Sequence, residues 1–284
     1  MADSPRRLAF AILRSFDTRR DNLDEALNAQ RQSVDPTSAG VAKGICEDVL
    51  RHAALIDHII SMVSTVQPNK MQRVVLSALR VGVTSFVRGD PAHAAVSETV
   101  NLLKPKHDAR KLVNAVMRRI TEALKIRILS NEEALELRQN PFVSTLIDLK
   151  IMPWGDRFAI ETEFDYFPDK SESRFELLSG FPNPLWKKLR RILLPEELAQ
   201  VALAATVAPR VWFRMRDGRQ QDVEKVLAKY ESVLRLDDDS HERFDGTSSA
   251  DLEMRGLALG VKERLAHHLL HSHPFKTVGL TVQD

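Results

Sequence analysis

Clustered cations are the side chains in this sequence that are best suited to chemistry. Arginine and lysine pair with phosphate oxygens, so clusters of them are typical of proteins that bind nucleic acid. A first cluster falls within the first 120 residues: Arg6, Arg7, Arg14, Lys106, Arg110, Lys111, Arg118 and Arg119. Positions 111, 114 and 118 share one face of a helix, which predicts a phosphate-binding surface. The alternative is that these cations belong to ordinary solvated helix faces.

A second cluster places an aromatic residue among cations: Trp186, Lys187, Lys188, Arg190 and Arg191. The tryptophan could stack on an unpaired base while the neighbouring cations bind phosphate. In the alternative, Trp186 packs inward with Leu189 and only the cations contact water. Both interpretations leave the positive charges available to RNA.

Catalytic and metal chemistry have few candidates. The only thiol, Cys46, lies on the apolar stripe of a predicted helix, so we expect a buried structural cysteine. The 11 glycines form no Gly-rich turn between a strand and a helix, so no SAM, dinucleotide or P-loop site is predicted. His267 and His271 would share a helix face, but no Asp or Glu completes a metal site. We predict no catalytic residue, metal or cofactor within this chain.

The charge is distributed unevenly along the chain. The net charge is only +2, yet residues 1–125 carry 19 Lys and Arg against 13 Asp and Glu, a net of +6. The remaining residues carry a net of −4. A basic front half favours a polyanionic partner. No apolar run approaches the roughly 18 residues of a membrane span, and no signal-peptide core follows the N-terminus, so we expect a cytoplasmic protein without a membrane partner.

Helices must position the first cluster. Apolar residues recur at helical spacing from Leu8 to Phe16 and place Arg7 and Arg14 together on the opposite face. Similar stripes predict six or seven amphipathic helices in residues 1–126, with a break near His52 and a central core helix over residues 71–86. Asp90 is expected to cap the next helix.

Asp108 is expected to begin the helix that carries the last cations of the first cluster. Short loops between amphipathic helices predict an all-α bundle for residues 1–126.

Residues 127–180 are predicted to form an acidic inserted linker. Apolar residues alternate over 143–151 and again over 158–164, on either side of a turn signal at 153–156, which indicates a candidate β-hairpin. Its outward face carries Glu161, Glu163 and Asp165, so it does not suit nucleic acid.

Residues 181–284 are predicted to form a small α+β domain. Asn183 as cap with Pro184 as first residue is typical of a helix beginning, and so is Pro195-Glu196-Glu197. A strand over 211–216, a helix over 222–230 and a parallel strand over 233–236 would make a βαβ unit. We expect a loop over 237–255, a helix over 261–270 and an extended segment over 277–282. The fold class is therefore mainly α, a helical bundle followed by a small α+β linker domain.

Two stretches of the front half resemble the NusB family. Residues 74–120 read VVLSALRVGVTSFVRGDPAHAAVSETVNLLKPKHDARKLVNAVMRRI and contain a Pro-x-His-Ala-Ala-Val segment and a Val-Asn-x-Val segment, as that family does. Residues 44–60, GICEDVLRHAALIDHII, are similar to its preceding helices. The resemblance covers about residues 5–125 and implies an all-α RNA-binding domain.

Three further segments resemble one branch of that family, the NusB-like N-terminal region of 16S rRNA cytosine-C5 methyltransferases. They are the helix end at 113–119, the joining segments at 184–186 and 208–214, and the final residues 279–284. Met215-Arg216 departs from the family's usual Asn, and residues 130–180 are an insertion relative to its shorter members. The resemblance implies a chain truncated before the SAM-binding domain, so that SAM and the catalytic cysteines belong to the full-length family member.

These observations lead to three functional hypotheses. In the first, the chain docks small-subunit ribosomal RNA for a methyltransferase whose catalytic domain is not in this sequence. In the second, it is a stand-alone NusB-like RNA-binding protein of transcription antitermination or ribosome assembly. In the third, it is a protein-interaction module that uses the acidic hairpin at 143–165.

Overall fold

The structure of this chain is a computed structural model. It describes residues 4–18, 20–30, 35–105, 107–130, 132–134, 151–155, 157–162, 167–168, 170–207, 234–236 and 243–245. Residues 1–129 and 141–206 make one compact unit, and residues 130–140 and 207–284 make a second. The predicted boundaries at 126 and 180 both lie inside the first unit, the former within a strand and the latter at the end of a helix. The described residues are mostly helical, which confirms the predicted fold class.

Seven α-helices form the N-terminal part of the first unit. They are α1 (Pro5–Leu13), α2 (Leu23–Gln30), α3 (Pro36–Arg51), α4 (Ala53–Val63), α5 (Arg73–Val87), α6 (Ala92–Leu102) and α7 (Arg110–Ala123), with a 3-10 turn at Pro68–Lys70. The break between α3 and α4 falls at His52, as predicted.

The beginnings of α1 and α3 follow from local chemistry. Ser4 precedes Pro5, and its hydroxyl accepts a hydrogen bond from the amide of Arg7 at 3.4 Å. Asp35 precedes α3, and its carboxylate accepts from the amide of Ser38 at 2.9 Å. The interaction with Ser38 lowers the pKa of Asp35 below its ordinary value. These caps fix the start of each helix.

Helix α5 is the centre of the bundle, as its apolar period predicted. It packs against α1, α3, α4, α6 and α7, and Ala78, Leu79, Val81 and Val83 are fully buried. Gly82 lies where α6 and α7 cross α5, and a Cβ atom at this position would stand only 2.2 Å from Thr99 Oγ1. The absence of a side chain at Gly82 therefore allows the close approach of α6.

Two predicted helix caps are wrong. Helix α6 begins at Ala92 after Pro91, without a side-chain cap, because the Asp90 carboxylate binds the guanidinium of Arg6 instead. Helix α7 begins at Arg110 after Ala109, and Asp108 does not cap it either. There the amide of Ala109 donates to His107 Nδ1 at 3.2 Å.

A three-stranded antiparallel sheet follows the bundle. Its strands are β1 (Leu124–Ile128), β2 (Met152–Trp154) and β3 (Phe158–Thr162), in the order β1-β3-β2. The β2–β3 pair is a hairpin, but Pro153 and Trp154 lie in the strand, and the turn contains Gly155, whose φ of +64° suits glycine. Sequence periodicity did not predict β1, and residues 143–150 of the expected first strand lie outside the described residues.

Among the described residues, three more helices follow in the first unit: α8 (Ser171–Ser179), α9 (Asn183–Ile192) and α10 (Pro195–Thr206). Helix α10 begins at Pro195, as predicted, and Glu197 accepts a hydrogen bond from the amide of Leu194 at 2.9 Å. Helix α9 includes Asn183, which was expected to be its cap. Helix α8 packs on α10 and on α4, and the ring of Trp154 stacks on His52 with centroids 4.0 Å apart. The sheet and these helices therefore extend the bundle itself.

The second unit is described only in part. Strand β4 (Leu234–Leu236) lies in the predicted strand at 233–236, but it pairs antiparallel with β5 (Arg243–Asp245), inside a stretch that was predicted to be loop. The sequence pattern of β5 is too short to stand out from its polar surroundings. The predicted elements at 211–216, 222–230, 261–270 and 277–282, with His267 and His271, lie outside the described residues.

Candidate nucleic-acid interface

Helix α7 has one apolar and one polar face. Val113, Val116, Met117 and Ile120 point into the bundle and are buried. Lys111 and Arg118 are exposed and Asn114 is half-buried on another face, because steps of three and four residues return to the same side of a helix. The predicted grouping of positions 111, 114 and 118 is therefore present.

Arg110 joins α7 to the end of α6. Its guanidinium donates to the carbonyl oxygens of Val100 at 2.8 Å and Leu103 at 2.9 Å, and to Asn101 Oδ1 at 3.3 Å. Carbonyls at the C-terminal end of a helix lack partners within the helix, so a cation there satisfies them. Arg110 thus holds the α6–α7 connection in place, and its Nη1 group is already engaged.

The backbone of Asn101 also binds the exposed Arg7, whose Nη2 donates a hydrogen bond to the Asn101 carbonyl oxygen at 3.4 Å. One residue near the end of α6 is consequently in contact with cations from α1 and α7. Lys104, in the loop that follows α6, is exposed. We call the contacts of Arg7 and Arg110 with Asn101 the Asn101 junction. Lys106 lies outside the described residues, so its predicted role stays a prediction.

A groove of about 560 Å³ runs between α6 and α7 and begins at the Asn101 junction. We call it the α6/α7 groove. Its lining consists of Ala92, His93, Val96, Ser97, Val100, Asn101, Asn114, Arg118, Thr121 and Glu122. The positive charges that predicted this surface gave no indication of the neutral polar residues on α6. The spacing of four between His93, Ser97 and Asn101 was the sequence signal that could have revealed a polar stripe on α6.

The other arginines of the first cluster have different surroundings. Arg6 is only partly exposed, and it binds Asp90 and donates to Ser85 Oγ at 3.2 Å, which ties α1 to the end of α5. Arg119 donates to the carbonyl oxygen of Val63, the last residue of α4, at 2.9 Å. Both arginines therefore hold the bundle together.

Arg14, Lys111 and Arg118 are the uncommitted cations of this cluster. All three are exposed, and within the described part of the chain none makes an ion pair or a side-chain hydrogen bond. Lys111 and Arg118 are seven residues apart, which corresponds to about 10 Å along α7. Their donors are available to an anionic ligand; Arg118 lines the α6/α7 groove, and Lys111 follows Arg110 of the junction in α7.

The second cluster requires a correction. Trp186 is only 1% exposed, so its ring packs inside the first unit and is not available to stack on a base. The large apolar area of an indole favours burial, and Trp186 is the buried residue of α9. Arg190 pairs with Glu172. Lys187, Lys188 and Arg191 are exposed, and no ion pair is seen for them among the described residues, so this cluster keeps cations but not its aromatic platform.

Cys46 and His52 are buried groups without a catalytic arrangement. Cys46 is fully buried, as predicted, and burial raises the pKa of its thiol to about 12. His52 is also buried, and burial lowers its pKa to about 3. The first therefore stays a thiol and the second stays neutral at physiological pH. Among the described residues, no group of three or more His, Cys, Asp or Glu could hold a metal ion.

The acidic hairpin, the candidate protein-contact surface, is partly described. Glu161 lies on β3 opposite Lys125 of β1 and binds the guanidinium of Arg127. Its charge is therefore balanced within the sheet. Glu163 and Asp165 lie outside the described residues. Within the described residues, no helix is long and apolar enough to cross a membrane.

Comparison with known proteins identifies the bundle. Residues 3–122 match the model of the NusB family. The NusB domain thus contains the whole of α1 to α6 and nearly all of α7, and with it the Asn101 junction and the α6/α7 groove. A NusB domain implies RNA binding. Strand β1 begins just after the matched residues, and the rest of the sheet and α8 to α10 follow further along the chain. Comparison with curated proteins found no match to the chain.

Proposed function

We propose that this chain is the RNA-binding N-terminal part of a cytoplasmic rRNA cytosine-5 methyltransferase, and that its NusB domain docks small-subunit ribosomal RNA. The observation that carries the RNA contact is the pair of exposed cations Lys111 and Arg118 on one face of α7, of which Arg118 lines the α6/α7 groove, with the exposed Arg7 at the Asn101 junction. Phosphate contacts from such side chains fix the register of an RNA without reading its sequence.

The methyltransferase context rests on the resemblance of residues 113–119, 184–186, 208–214 and 279–284 to that branch. One structural observation supports an extended protein. The β1–β3 sheet and α8 pack on the bundle beyond the NusB match, through contacts such as the Trp154–His52 stack. These contacts would hold a following segment against the RNA-binding domain.

The described residues do not fit SAM, nor do they fit the cysteine nucleophile with which that family attacks cytosine. None of the described strands leads into a glycine-rich turn at a helix N-terminus, the arrangement that such a cofactor needs. The thiol of Cys46 is buried, and its raised pKa keeps it protonated. In this proposal the chain binds and orients RNA, and methyl transfer would need another domain.

A binding measurement tests the RNA surface. Fluorescence anisotropy with a labelled fragment of small-subunit rRNA should give an affinity that falls steeply with salt. The double variant Lys111→Ala/Arg118→Ala should bind more weakly and lower the slope of log K against log[salt] by about 1 to 2, since two phosphate contacts are lost. Lys70→Ala, an exposed lysine of the 3-10 turn, is the matched control.

Two results would contradict the proposal. A folded double variant with the affinity of the wild type would remove Lys111 and Arg118 from the RNA surface. The intact mass of the native product in cell extract tests the context, since a species well above 32.1 kDa supports the methyltransferase. A species at that mass would favour the stand-alone NusB-like protein of antitermination or ribosome assembly.

A further inference from the structure

We infer that the α6/α7 groove binds one nucleobase of the docked RNA, held between the side-chain amides of Asn101 and Asn114. The inference rests on the proposed RNA binding and adds a base-binding site to the phosphate contacts. It starts from the groove itself, whose volume of about 560 Å³ lies within the range of small-ligand sites. A nucleobase with its sugar fits such a volume, whereas a base stacked and paired in an A-form duplex cannot enter it.

The groove has the two kinds of surface that a base needs. Val96 and Val100 of α6 supply apolar surface for the flat face of a base. Asn101 on α6 and Asn114 on α7 line the same groove from its two walls. A carboxamide carries both a hydrogen-bond donor and an acceptor, which matches the mixed edge of a nucleobase.

Among the described residues, neither side-chain amide has hydrogen-bond partners for all of its donors and acceptors. Asn101 Oδ1 accepts from Arg110 at 3.3 Å, which orients the amide, and no partner is seen for Asn101 Nδ2 among the described residues. Asn114 is half-buried, and within the same residues its side chain makes no hydrogen bond. A partly buried amide without a partner costs free energy unless a ligand or water satisfies it. One arginine therefore pre-positions the site, and the second amide is left for the ligand.

The charges of the groove give the bound nucleotide a direction. Arg110 contacts Leu103, so the C-terminal end of α6 lies beside the start of α7 and the two helices are antiparallel. The Asn101 end of the groove therefore adjoins the cationic junction, and the other end carries His93 and Glu122. Glu122 would repel a phosphate, so the backbone belongs on the side of the junction and of Arg118, which lies between Asn114 and Glu122 on α7.

The test compares two labelled RNAs of equal length, a hairpin with an unpaired loop and a blunt duplex. The wild-type chain should bind the hairpin about tenfold or more tightly, because only the loop supplies a base to the groove. Asn114→Ala, and separately Ser97→Leu to fill the groove, should bring the two affinities together and leave the duplex affinity and its salt dependence unchanged. Asn69→Ala, an exposed asparagine of the 3-10 turn, is the control and should change nothing.

A fluorescent base analogue in the loop locates the contact directly. With 2-aminopurine, the wild type and Asn69→Ala should change the emission on binding, and Ser97→Leu should not. Equal binding of hairpin and duplex by the wild type, or a preference that survives both groove variants, would overturn the base site. If Lys111→Ala/Arg118→Ala still weakened both RNAs, the proposed function would stand. A wild-type chain that binds neither RNA would refute the proposed function itself.

Discussion

Gly82→Ala should destabilise the bundle, although alanine favours helices. Gly82 lies inside α5, and an added Cβ would stand 2.2 Å from Thr99 Oγ1, 2.8 Å from Thr99 Cγ2 and 3.0 Å from Met117 Sδ. These distances are shorter than any normal van der Waals contact, so α6 must move away or Thr99 must rotate. Thr99 is buried, and its hydroxyl donates to the Ala95 carbonyl oxygen at 2.6 Å.

The magnitude follows from two opposing contributions. Replacing glycine by alanine within a helix stabilises it by about 1 kcal/mol. Overpacking a core costs about 1 to 3 kcal/mol. Rotation of Thr99 would also leave its buried hydroxyl unpaired, at a further cost of about 1 to 3 kcal/mol. With Thr99 rotated, the free energy of unfolding should therefore fall by about 1 to 5 kcal/mol.

Thermal unfolding followed by circular dichroism measures this effect, with Gly40→Ala as the control. Gly40 lies in α3, and a Cβ there meets nothing within 4 Å, so this variant should gain up to about 1 kcal/mol. For a unit of this size, 1 kcal/mol corresponds to about 2 to 4 °C in Tm. A Gly82→Ala protein as stable as the wild type would refute the close packing of α5, α6 and α7 at this point.

Three further predictions concern buried groups and the α6–α7 connection. Burial holds the pKa of His52 at about 3, against an ordinary value of 6.5. As the pH falls from about 6.5 to about 3, His52 takes up a proton in the unfolded chain but not in the folded one, so the free energy of unfolding should decrease over this range. His52→Phe keeps a ring against Trp154 and should flatten the curve of Tm against pH; an unchanged curve would exclude His52 as the cause. The pKa of Cys46 is raised from 9.0 to about 12, so its contribution to stability should be lost as the pH rises above about 9, and a thiol reagent should label it at pH 7.5 only after unfolding. Arg110→Ala should lower the free energy of unfolding by about 1 to 3 kcal/mol because carbonyls of α6 lose their donors, while Lys111→Ala should change it by less than about 0.5 kcal/mol in denaturant titrations.

The helices of the bundle could be predicted because each buries one stripe of apolar residues. Their period is a local property of the sequence, and α5 lies close to its predicted limits. Strand β1 could not be predicted in this way. It follows α7 without a loop, it is five residues long, and its partner β3 lies more than 30 residues further along the chain. Pairing at that distance leaves no periodic signal within Leu124–Ile128.

The cations of the candidate site could be predicted from the sequence, but not which of them are held by contacts within the fold. Arg110 and Lys111 are neighbours with the same charge, and only the fold distinguishes them, because Arg110 reaches carbonyls of another helix. The sequence left open whether Trp186 stacks on a base or packs inward, and its burial beside Phe175 of α8 and Leu198 of α10 decides for inward packing. Asn101 was not predicted as a site residue, and Asn114 was predicted only as a position on the cationic face of α7, since the α6/α7 groove exists only when α6 and α7 pack side by side.

The pair Arg118-Arg119 shows why substitutions at this surface must be chosen from the structure. Consecutive residues of a helix point about 100° apart. Arg118 therefore borders the groove, while Arg119 reaches across to the end of α4, where it donates to the Val63 carbonyl oxygen. Replacing both by alanine would combine a loss of RNA contact with a loss of stability, and weaker binding would have two explanations. Arg118→Ala alone should weaken RNA binding at constant Tm, whereas Arg119→Ala alone should lower Tm, and only this separation attributes the RNA contact to the groove.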